Sequence, residues 1–65
     1  MKYLKIYNKG FEQGMIQAFD DIKNNKIKEF KIVNDKEVKA RIYDIGYIKG
    51  YKKLVYKIKN TLLID

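Results

Sequence analysis

Residues 5–25 read KIYNKGFEQGMIQAFDDIKNN, and residues 41–61 read RIYDIGYIKGYKKLVYKIKNT. The two stretches align without a gap at an offset of 36 residues. Ile6, Tyr7, Gly10, Gly14, Ile22, Lys23 and Asn24 recur as Ile42, Tyr43, Gly46, Gly50, Ile58, Lys59 and Asn60. Lys5 matches Arg41, Asn8 matches Asp44 and Phe11 matches Tyr47. A shared Y-[ND]-x-G-[FY]-x-x-G core in a 65-residue chain points to an internal structural repeat.

Each copy carries a helical signal. Tyr7, Phe11, Met15, Ala18, Phe19 and Ile22 fall within an arc of roughly 120° at 100° per residue. Tyr43, Tyr47, Tyr51, Leu54, Val55, Ile58 and Leu62 do the same, with Lys49, Lys52, Lys53, Lys57 and Lys59 set apart from them. Asn8 and Asp44 suit helix N-caps, where a side-chain oxygen accepts an unpaired backbone N–H. Asn24-Asn25 and Asn60-Thr61 suit the ends. A rival reading places a hairpin turn at Lys49-Gly50 between β-rich strands; the clean helical arc favours helices.

The flanks alternate instead. KYLKIY sets Leu4 and Ile6 against Tyr3 and Lys5, and VKARIY sets Val38, Ala40 and Ile42 against Lys39 and Arg41. IKEFKIV puts Phe30 and Ile32 on one face, and Asn34-Asp35 is a turn signal, which predicts a hairpin of strands 28–33 and 37–43. By the repeat, Leu62-Leu63-Ile64 opens a short last strand, or none forms. The predicted fold is therefore one α+β domain over residues 1–65. It is a ferredoxin-like βαββαβ two-layer sandwich of two βαβ units, with both helices on one sheet face.

Composition narrows the chemistry. The chain has no Cys and no His, which removes thiolate metal sites, disulfides and every Ser-His or Cys-His nucleophile. Asp44 is better explained as a cap, and Asp20-Asp21 with Glu12 form no metal-binding cluster. No catalytic residue, metal or cofactor is expected. No stretch approaches the ~20 apolar residues of a membrane span, and the first residues lack the apolar core of a signal peptide. These features predict a cytoplasmic protein without a membrane role, of a kind and size suited to a phage or mobile element.

Fifteen Lys+Arg against eight Asp+Glu give a net charge of +7. Such a balance favours nucleic acid, although AT-rich codons also produce sequences rich in Lys, Ile, Asn and Tyr. On the predicted fold, the open sheet face presents Tyr3, Lys5, Lys31, Lys39 and Arg41, and the second helix adds Lys49, Lys52, Lys53 and Lys57. Together these residues are the candidate nucleic-acid contacts. Gly10, Gly14, Gly46 and Gly50 mark close approach, of the helices to each other or to the sheet, or to another subunit. With Tyr47 and Tyr51 they form the candidate interface. A small chain without staples gains from homo-oligomerisation. The leading expectation is thus a basic, non-enzymatic nucleic-acid-binding protein. The alternative is an oligomeric protein-interaction module, or an inhibitor of a host or defence protein, acting through Tyr-rich contacts.

Overall fold

A computed structural model describes residues 2–30 and 37–63. Two helices account for most of it: α1, Lys2–Lys23, and α2, Val38–Leu63. No strand occurs among the described residues, so the ferredoxin-like α+β sandwich is replaced by a two-helix architecture. KYLKIY is the first turns of α1 and VKARIY the first turns of α2. Six residues of apolar alternation fit either period. What decides is continuity: Tyr3, Tyr7, Gly10, Gly14, Ala18 and Asp21 lie along one helical stripe with no proline to interrupt it. Asn8 and Asp44 lie well inside the helices and are not caps. Residues 27–30 form no strand, and the Asn34-Asp35 turn lies outside the described residues, as does Ile64.

The glycines fix how the helices meet. A Cβ added to Gly10 would run into the carbonyl oxygen of Tyr43, and one added to Gly14 into that of Tyr47. Gly46 and Gly50 meet the carbonyl oxygens of Tyr7 and Phe11 in the same manner. Four residues up α1 correspond to four residues up α2, so the helices run in the same direction. The 36-residue offset exchanges the two sets of contacts, which makes the crossing a pseudo-twofold one. A parallel pair needs a long return. α1, with 22 residues, rises about 33 Å, which the connection of residues 24–37 can span at up to about 46 Å.

The return starts at a Schellman turn. Asn25 takes φ 58°, a conformation Asn tolerates better than most residues. The Asn25 N–H donates to Ile22 and the Lys26 N–H to Asp21, at 3.1 and 2.8 Å. The chain then runs back along the pair. Phe30 packs edge-on against Tyr51 and Tyr47, with ring centres 4.8 and 5.8 Å away.

Asp21 and Tyr51 pin this return. The Tyr51 hydroxyl donates to Asp21 Oδ2 at 2.7 Å and accepts the Lys28 backbone N–H at 2.9 Å. Gln17 Nε2 donates to Asp21 Oδ1 at 2.8 Å, and Lys28 Nζ lies 3.6 Å from the carboxylate. The Tyr51 and Gln17 hydrogen bonds, against some cost of burial, hold the Asp21 carboxyl below its ordinary 3.8. Burial first, then the nearby carboxylate, push the Tyr51 phenol above 10.0. Burial raises Tyr47 as well. A lowered acid stabilises the fold above its unfolded value and loses that contribution as pH falls through the folded one. A raised phenol loses its contribution as pH rises past the unfolded value. Urea midpoints are therefore expected to be flat between about pH 4 and 10 and to fall on both sides. Asp21→Asn should lower the plateau and flatten the acid limb; an unchanged acid limb would show that Asp21 does not report on folding.

Candidate nucleic-acid interface

The pair buries little. Among the described residues Ala18 and Tyr51 are the buried apolar side chains, and Asp21 the buried charge. Charge is unevenly placed. α2 carries seven Lys or Arg against Asp44 alone, whereas α1 carries four Lys against Glu12, Asp20 and Asp21. Lys49, Lys52, Lys53, Lys57 and Lys59 are all exposed. At helical spacing they cover about 160° of α2, on the side away from Tyr47 and Tyr51.

Two hollows open along this lysine face. The larger, about 650 Å³, has Tyr7, Phe11, Ile45 and Ile48 as its apolar floor, with Lys49, Lys52, Lys53 and Tyr56 around it. The Lys53 ammonium stands 5.5 Å from the centre of the Phe11 ring, within cation–π range. The smaller, about 240 Å³, lies between α2 and the returning chain, lined by Ile27, Lys28, Tyr51, Val55 and Lys59. Lys52 and Tyr56 line both, so the hollows adjoin. Among the described residues no carboxylate lines either one.

The expected contact residues do not form one surface. With no sheet, Tyr3 and Lys5 are exposed on α1. Lys39 and Arg41 lie near the start of α2, about 15 and 12 Å along the axis from Lys49. Arg41 is half-buried and engaged within the chain. Lys31 lies outside the described residues. Lys49, Lys52, Lys53 and Lys57 do share a face. The four glycines are buried against the opposite helix, Tyr51 is buried beside them and Tyr47 is half-buried. All six make contacts within the chain.

Sequence reasoning missed Tyr7, Phe11, Ile45 and Ile48 as a floor and Tyr56 as part of the rim. Tyr56 had a signal: it is 70% exposed at the centre of the lysine arc, one turn from Lys52, Lys53 and Lys59. The floor had none, because it needs the two helices side by side. Among the described residues no group of three or more acidic side chains could hold a metal ion, and no helix is long and apolar enough to cross a membrane. Comparison with protein-family models, curated proteins and solved structures returns no match.

Proposed function

We propose that this chain is a small, non-enzymatic nucleic-acid-binding protein that uses the lysine face of α2. The observation that carries the reading is the face of five exposed lysines, four of which, Lys49, Lys52, Lys53 and Lys59, border two aromatic hollows with no carboxylate among their described lining residues. Lysines neutralise phosphates and release counterions, and exposed rings among them offer stacking platforms. The sheet face plays no part.

The test is oligonucleotide binding across a salt series. With about four phosphates neutralised, log K against log salt should fall with a slope of about −3 for a single strand. Lys52→Glu with Lys53→Glu should weaken binding more than tenfold at low salt and reduce the slope. Lys5→Glu with Lys9→Glu changes net charge equally but sits on α1 outside both hollows. Equal loss in both pairs would reduce the effect to overall charge and remove the site.

Self-association has its own support. Leu4, Ile16 and Phe19 are 58, 56 and 62% exposed on α1, beside a core of two buried apolar side chains among the described residues. Light scattering at tens of micromolar protein should give a mass above the 7.8 kDa chain, with Phe19→Asp returning it to one chain. A monomer throughout would dispose of this reading.

A further inference from the structure

We infer that the larger hollow is a base-binding site for single-stranded nucleic acid, the pseudo-symmetric counterpart of the place where the chain seats its own Phe30. The inference rests on the nucleic-acid reading above and gives it a substrate class. The helix pair presents two neighbouring ring pairs of similar geometry at equivalent positions. Tyr7 and Phe11 lie 6.1 Å apart at 33°, and Tyr43 and Tyr47 lie 6.4 Å apart at 29°. The 36-residue offset relates one pair to the other.

The two sides of the pair are occupied differently. Beside Tyr47 the returning chain inserts Phe30, its ring edge-on to Tyr47 and Tyr51. Beside Phe11 no described residue fills the groove, and its volume of about 650 Å³ falls in the usual small-ligand range, roughly 300–1,000 Å³. The fold thus shows what such a groove takes: a planar ring carried on an extended chain.

The rims differ in charge. Lys49, Lys52 and Lys53 of the open groove correspond by the offset to the uncharged Gln13, Ile16 and Gln17, and the Phe30 that sits beside Tyr47 is carried on a Lys-rich segment. The open groove is the cationic version, so its ring should come on an anionic chain. Two adjoining hollows sharing Lys52 and Tyr56 favour an occupant that repeats charge and ring at each unit. A single-stranded nucleic acid does so; an acidic peptide with one aromatic side chain does not. In a duplex the bases are paired and stacked out of reach.

The experiment compares a labelled dT12 oligonucleotide with an abasic strand of the same phosphate count, on the full chain at one salt concentration. The dT12 strand should bind about tenfold more tightly than the abasic strand, with the same salt slope for both. Phe11→Ala should erase the difference. Tyr56→Ala, at an exposed position that cannot unfold the pair by cavity formation, should shrink it as well. Equal binding of the two strands overturns the base site but leaves the phosphate reading standing. Failure of both strands to bind at low salt overturns both. A phenylalanine-containing polyglutamate peptide that displaces dT12 and outbinds it also overturns the inference, in favour of an acidic protein segment.

Discussion

Gly14→Leu is expected to lower the thermal midpoint by about 10 °C, and Gly50→Leu by the same amount. Circular dichroism at 222 nm through a melt is the measurement. The expectation runs against helix propensity, since leucine is better than glycine by close to 1 kcal/mol in a helix interior. Packing decides the sign. At Gly14 the first added carbon alone would stand 2.8 Å from the Tyr47 carbonyl carbon and 3.0 Å from its Cα. Gly50 meets Phe11 at the same distances. The obstructing atoms are backbone, so no rotamer change relieves the overlap and the helices must part. Overpacking of this kind costs about 1–3 kcal/mol or more. Each kcal/mol is worth about 4–8 °C in a domain of this size. The control is Asn8→Ala, at an exposed position inside α1. It gains propensity without a clash and should raise the midpoint slightly. If Gly14→Leu also raises it, the helices do not cross at the glycines.

The same glycines show how much of the fold was legible before the structure. The 36-residue offset and the two apolar arcs place both helices, and Asn24-Asn25 marks the end of α1 correctly. Close approach of the helices follows from a Gly four residues after a Gly in each copy. The strands were misread for a physical reason. Leu4 and Ile6, or Val38, Ala40 and Ile42, alternate over so few residues that a helix turning 100° per residue displays nearly the same pattern. Asn8 and Asp44 compounded the error, because good N-cap residues in mid-helix look like starts. The parallel direction was hidden altogether, since it depends on which glycine meets which carbonyl. The site divided similarly. The lysines of α2 share a face by spacing alone, whereas the floor between Phe11 and Ile45 exists only once two distant segments lie side by side.

Tyr51→Ala is expected to unfold the chain at 25 °C, while Tyr51→Phe leaves it folded but weakened. Tyr51 is 1% exposed and is the largest fully buried side chain among the described residues. Removing an aromatic ring from such a site costs about 3–5 kcal/mol, against a total that for small domains starts near 5 kcal/mol. Here the ring also forms the surface on which Phe30 lands, at 4.8 Å between centres. Its loss therefore frees the return of the connection as well as opening a cavity. Tyr51→Phe keeps the ring and removes the hydroxyl that joins Asp21 to the Lys28 N–H. A buried acceptor and a backbone donor then lose their partner, at a cost of roughly 1–2 kcal/mol. Urea unfolding of both variants separates the two contributions. A Phe variant as unstable as the Ala variant would place the stability in the hydrogen bonds. An Ala variant with near-normal stability would mean that the glycine crossing alone holds the pair, and that the returning chain rests on it without adding to it.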